Sequence, residues 1–197
     1  NKCRRDHNQQ RSSVMYGLIN NSLKSMILEQ YGEGQWQKVL SVSGVSENSF
    51  LTMRSYDDSI TYSLADAAAE VLDAPVEACL EMFGEYWVRE TATKSYGLLM
   101  DAAGQDMLEF LGNLNNLHDR ITSTFLNYVP PEFSIEPKGD HHLIHYVSQR
   151  ERLTPFVVGL LKGLATRFNN TITFISQSEV AVDHGTHTIF EVEILAA

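Results

Sequence analysis

Apolar residues recur three and four apart through most of the chain up to about residue 126, and alternate in twos beyond it. The first spacing is that of one helical face, the second that of a strand with one buried side. Over residues 16–31, Ile19, Leu23, Met26 and Ile27 make a stripe that Gly32 and Gly34 end. A short helix over 35–42 turns Trp36, Val39 and Leu40 inward, and the turn-rich, acidic stretch 43–60 reads as loop. A helix over 62–72 buries Leu64, Ala68, Val71 and Leu72. Pro75 suits the first turn of the next helix, 76–91, whose stripe is Val76, Leu80, Phe83 and Trp87. After a short helix at 96–103 comes a more amphipathic one, 105–126, with Leu108, Leu111, Leu114, Leu117 and Ile121 on one face.

The period changes at Asn127. Pro130 and Pro131 lack a backbone N–H and restrict the residues before them, so helix stops there. Strands over 132–136 and 141–149 flank a turn, Pro137-Lys138-Gly139-Asp140. Thr154 as cap and Pro155 at the first position open a helix reaching about residue 168. Strands over 171–176 and 186–194 follow, the second with Thr186, Thr188, Phe190, Val192 and Ile194 on one face. The expected fold class is α+β: a helical N-terminal part, then a small antiparallel sheet with one long helix packed on it. Residues 1–14 are polar and basic and read as a disordered leader or a remnant of upstream translation; one domain is expected over 15–195.

Composition narrows the function. Hydrophobic residues are 43%, charged residues 20%, and the net charge is −10, an ordinary globular balance that disfavours nucleic-acid backbone binding. Two cysteines, Cys3 and Cys79, make neither a disulfide framework nor a CxxC site, which points to a reducing, cytoplasmic setting. No run approaches ~18 apolar residues, so no membrane-spanning helix is expected, and residues 1–14 lack the apolar core of a signal peptide.

Two places carry candidate chemistry. His118 lies four residues after Leu114 and three before Ile121, on or beside the apolar stripe of its helix. Such a histidine is either a satisfied core residue or a ligand to something held in the core. Tyr146, Ser148 and Arg150 are spaced two apart on a strand, so two hydroxyls and a guanidinium project side by side. They are either unrelated residues of an exposed strand or a donor comb for carboxylate or phosphate, with Arg150 as a bidentate fork. A metal-binding imidazole and a carboxylate comb in one domain together fit haem, whose iron takes an axial histidine and whose propionates need an anion site. The run Ala67-Ala68-Ala69 offers small residues against which a planar ligand could lie. A zinc enzyme is the rival: His141, His142 and His145 sit on one strand, and Asp183, His184 and His187 near another, but the spacing matches no zinc motif and exposed strand histidines explain them better. No GxSxG, P-loop, GxGxxG or HExxH motif occurs, and no enzyme is expected. A cofactor-free interaction module is the other alternative.

Several segments together resemble the haem nitric oxide/oxygen-binding (H-NOX) family, the sensor domain of soluble guanylate cyclase and its bacterial relatives. They are Met15-Tyr16-Gly17, Asp57-Asp58 with Thr61-Tyr62, Phe83-Gly84-Glu85-Tyr86-Trp87, Phe110-Leu111-Gly112-Asn113-Leu114 leading to Leu117-His118, Pro130-Pro131, and Tyr146-Val147-Ser148-Gln149-Arg150. The start and the FGEYWV segment look closest to cyanobacterial members. The resemblance implies an H-NOX fold with haem b buried between helices and sheet. It implies that His118 ligates the iron, its other ring nitrogen donating a hydrogen bond, and that Tyr146, Ser148 and Arg150 clamp the propionates. Pro131 would press on the porphyrin and Ile19 pack against it. Oxygen-binding members carry a distal tyrosine where this chain has Phe156, which implies a pocket favouring NO and CO over O2; Trp87 matches a second distal position, as plain packing or as an indole donor. The implied switch is weakening of the His118 bond when NO binds, flattening of the haem as strain against Pro131 relaxes, and release of the helix to a partner. That partner would be a histidine kinase, a cyclic-di-GMP enzyme, a chemotaxis protein or a cyclase output on the same chain. Cyclase members often place a cysteine just after the two prolines; Glu132-Phe133-Ser134-Ile135 has none, which tilts the resemblance toward bacterial sensors.

Overall fold

The computed structural model describes residues 14–46, 49–123, 129–183 and 185–196. The expected leader, apart from Val14, lies outside these residues, as do Cys3, His184 and positions 124–126 of the expected His118 helix. In chain order the elements are β1 (Val14–Tyr16), α1 (Gly17–Tyr31), α2 (Glu33–Ser43), β2 (Ser55–Asp57), α3 (Asp58–Val71) and α4 (Val76–Tyr86). A π-helical turn (Trp87–Ala92), α5 (Thr93–Ala103), α6 (Met107–Thr122), β3 (Glu132–Lys138) and β4 (His141–Ser148) follow, then α7 (Thr154–Arg167), β5 (Asn170–Val182) and β6 (Gly185–Ala196). The α+β architecture expected from periodicity is the one adopted.

The apolar stripes build two cores. Met26, Ile27, Trp36, Val39 and Leu64 are fully buried at the centre of α1–α4. Met107, Phe110, Leu111, Ile144, Leu161 and Phe190 form the other, between α5–α7 and the inner face of the sheet. Trp87 packs against both. The bodies meet where α4 crosses α7 with backbones touching. A Cβ on Gly159 would lie 1.9 Å from the Glu81 carbonyl oxygen, and one on Gly84 2.1 Å from that of Phe156. The Lys162–Glu81 ion pair closes the same seam.

The antiparallel sheet runs β3-β4-β6-β5, and β1 pairs with β2 in a separate two-stranded ribbon. That ribbon corrects the reading of 43–60 as loop: β2 is three residues held by backbone pairing to a distant strand, which leaves no periodicity to read. The hairpin after the prolines is tighter than expected. Lys138 pairs with His141, so the turn is Gly139-Asp140, with Gly139 at φ 63° supplying the left-handed conformation such turns require. Pro137 sits in β3, where an edge strand tolerates a missing donor. The π-helical turn joins the helices expected at 76–91 and 96–103 into one continuous run. Strand β5 extends past residue 176 to Val182, with a bulge between Phe174 and Ser176. Thr154 is not a cap: it is the first residue of α7, and its hydroxyl donates to Glu179 Oε2 at 2.6 Å.

Candidate functional site

Helix α6 presents His118 because its start is fixed. The Asp106 carboxylate accepts from the Glu109 N–H at 2.8 Å, and Glu109 reaches back to the Gln105 N–H at 2.7 Å, a reciprocal cap. The helix is tied to β3 by the Asn115 side chain, which donates to the Phe133 carbonyl at 2.8 Å and accepts from its N–H at 2.9 Å. Three residues further on, His118 faces a cavity of about 220 Å3. A second cavity of about 90 Å3 adjoins it, and Ile19, Pro131, Phe133, Phe156 and Leu160 wall both. Trp87 lines the larger with His118; Tyr146, Ser148 and Arg150 line the smaller. All eight residues singled out in the sequence therefore converge on one place.

The His118 ring lies 6.2 Å from that of Phe133. Burial pushes its pKa down, opposed by the Pro131 backbone carbonyl and by Asp119. Its Nδ1 is buried and has no hydrogen-bond partner among the described residues. A neutral imidazole in an apolar wall is the form that binds a metal.

At the other end, Tyr146 and Ser148 point inward from β4, and Arg150 follows just past its end; all three are buried. The comb exists, but its fork is partly engaged. Arg150 Nε donates to Asp58 Oδ2 at 3.1 Å and Nη1 to the Val129 carbonyl at 3.1 Å, while Ser148 Oγ accepts from the Arg150 N–H at 3.0 Å. The first turn of α3 brings Asp58 inward, leaving its Oδ1 buried and unpaired. Tyr62, also on the smaller cavity, donates to the Glu151 carbonyl at 2.9 Å. Burial and the Asp58 charge push its phenol up to about 12, so it stays a donor.

Sequence reasoning missed three features of this wall. Phe133 touches both ends, packing on His118 and, at 5.2 Å, on Tyr146; its place two residues after Pro131 on an alternating strand was the available signal. Asp58 stood only within the Asp57-Asp58 segment, and its pairing with Arg150, 92 positions away, gave no signal. Tyr16 and Tyr96 line the larger cavity, so phenols are present there although Phe156, stacked 5.0 Å from Phe83, is not one. The alanine run is also corrected: Ala67, Ala68 and Ala69 are buried in α3 and line neither cavity, where Ala65 appears instead. The sheet histidines are not simply exposed. His145 Nδ1 and His187 Nε2 lie 3.0 Å apart, His141 meets Glu191 at 3.4 Å, and His142 Nδ1 is buried. Among the described residues no three metal-binding side chains converge, and no helix is long and apolar enough to cross a membrane.

An imidazole at one end, apolar walls, and a guanidinium with hydroxyls at the other suit a flat apolar ligand that carries a metal and an acidic edge. Haem has that form, and the residues present fit it. The comparisons agree. A model of the haem-NO-binding family matches residues 16–176. The soluble guanylate cyclases gcy-31 and gcy-37 of Caenorhabditis elegans are 27% and 31% identical over 86% and 77% of this chain, which spans 24% and 22% of their lengths. In structure, the H-NOX protein of S. oneidensis in the Fe(II)NO ligation state has a TM-score of 0.77 and 21% identity, over 91% of this chain and 99% of that one. The Fe(II) unliganded H-NOX protein of K. algicida has a TM-score of 0.79 and 20% identity, over 93% and 98%. These two likenesses speak to the fold.

Proposed function

This chain belongs to the haem-NO-binding (H-NOX) family, and from that premise we propose that it is a haem-based sensor of NO and CO that discriminates against O2. The observation that supports the reading best is the convergence of His118 with the Tyr146–Ser148–Arg150 comb across adjoining apolar cavities. Haem b, when bound, supplies a ferrous iron that takes the gas. His118, from α6, would be its ligand. Arg150, already oriented by Asp58, the Val129 carbonyl and the Ser148 turn, would donate to a carboxylate along with the Tyr146 and Ser148 hydroxyls. Ile19 and Pro131, which line both cavities, would pack against the ring, and Phe156 and Trp87 would wall the gas side. Bound O2 carries partial negative charge and needs a donor, whereas ferrous NO needs little help. Phe156 offers none.

Signalling in this reading is a change in how α6 is held. The helix is fixed at its start by the Asp106 cap, to the end of α5 by Asn113 and to β3 by Asn115; His118 would add a tie to the cofactor, and its loss would leave those three to set where the helix moves. No catalytic step is assigned to the chain. Its output is a histidine kinase, a cyclic-di-GMP enzyme or a cyclase, the last in keeping with relatives about four times its length. The buried free thiol of Cys79 suits the cytoplasm, where we place it.

The deciding experiment is the absorption spectrum of the ferrous protein alone and with NO, CO and O2. A Soret band that shifts with NO and CO but forms no stable O2 complex is expected. No Soret band after full reconstitution overturns the reading. A stable O2 complex overturns the discrimination, and its loss in Tyr96→Phe would name the donor.

A further inference from the structure

Asp58, Tyr62 and Asp66 recur every four residues along α3 and so project from one face. Opposite them run three consecutive residues just past β4. Arg150 Nε meets Asp58 Oδ2 at 3.1 Å, the Glu151 carbonyl accepts from the Tyr62 hydroxyl at 2.9 Å, and Arg152 forks onto Asp66 with contacts of 2.5 and 3.3 Å. The Arg152 guanidinium also lies over the Tyr62 ring, 5.6 Å from its centre. These are three rungs of a ladder, graded in burial. The Arg150 and Asp58 side chains are 8% and 9% exposed, whereas those of Arg152 and Asp66 are 53% and 48% exposed. The backbone pays for the outer rung: Arg152 sits at φ 64°, a left-handed conformation that a side chain opposes, so side-chain contacts hold the turn.

We propose that this ladder is a latch on the cofactor site, in which Tyr62, Asp66 and Arg152 are positioning residues that hold Arg150 in place and set how fast haem enters and leaves. The proposal rests on the reading that Arg150 binds a haem carboxylate. The segment bearing Arg150 is the rim of the smaller cavity, which Tyr62 and Leu153 also line. Opening it requires the exposed rung to break first, then the Tyr62 bond, and last the buried pair. The outer rung is solvent-screened and cheap to open, and the inner one is not, so the latch yields from its outer end. Release is then graded by surface charge at a distance from the ligand itself, and no contact between Arg152 and haem is needed.

The test is haem transfer from the loaded full chain to excess apomyoglobin, followed in the Soret region. Asp66→Asn, Arg152→Ala and Tyr62→Phe should each release haem about two- to fivefold faster, the range of an exposed ion pair or a single hydrogen bond. The ferrous and CO spectra of Asp66→Asn and Arg152→Ala, whose side chains line neither cavity, should match the parent. The reversed pair Asp66→Arg with Arg152→Asp should return the rate toward the parent value. Raising the salt concentration should speed release from the parent but not from Asp66→Asn. Arg150→Ala is run alongside and should release fastest. If Arg150→Ala is fast while the outer-rung variants match the parent, the latch is overturned and the carboxylate site stands. If Arg150→Ala also matches the parent, the carboxylate site is wrong and the latch falls with it.

Discussion

A single nitrogen separates two descriptions of α6. Replacing His118 by alanine should leave a chain that holds ferrous haem only when imidazole is added; a five-coordinate ferrous spectrum without imidazole would remove His118 from the iron. Phe156→Tyr places a phenol in the wall of both cavities, and the O2 affinity of the ferrous protein should rise; an unchanged O2 titration would put the gas elsewhere. Tyr62 makes a pH prediction. Its folded pKa, about 12, lies above a phenol's ordinary 10.0, because burial and Asp58 disfavour the phenolate. Its contribution to stability is therefore full below pH 10 and is lost as pH rises toward 12. Tyr62→Phe should flatten that part of the alkaline limb of a melting-temperature profile. At this scale the site was legible where its chemistry is local: His118 stands against an apolar stripe, and Tyr146, Ser148 and Arg150 share a strand period. Asp58 was illegible because its partner is reached only through the fold, and the occupied state of the Arg150 fork was hidden with it.

Helices were read well wherever a proline or glycine punctuates them. Pro75 precedes α4, Pro155 opens α7 and Gly32 ends α1, as the sequence suggests. Elements without such marks were misjudged. The π-helical turn lies inside an unbroken helical run, and β5 beyond its bulge is exposed on both faces, so no buried side marks it. The crossing of α4 and α7 was invisible too, since a glycine does not announce what lies against it. Gly159→Ala should lower stability by about 1–3 kcal/mol, because the new methyl meets backbone that cannot rotate away. Gly97→Ala on α5 has nothing within 4 Å and should be neutral or stabilising by up to about 1 kcal/mol. Urea midpoints of the two variants check both signs, and equal midpoints would mean that the crossing is looser than drawn.

Two cores joined by one glycine seam, with the cavities between them, make the cofactor a structural joint for the whole chain. A ligand that binds only the folded state adds on the order of 4 kcal/mol when its free concentration is a thousand times Kd. For a chain of this size that corresponds to a rise of roughly 8–16 °C in melting temperature. Loading with haem should produce a shift of that order by calorimetry, and an unshifted midpoint would show that the bodies hold together unaided.

The chain has two tryptophans, one for each setting. Trp36 is fully buried in the α1–α4 core, and Trp87 lines the larger cavity. A porphyrin absorbs where indole emits, so the nearer indole is quenched more strongly. The protein thus carries its own optical gauge of occupancy: emission from both indoles should fall as haem loads, that of Trp87 most completely, and return as haem leaves.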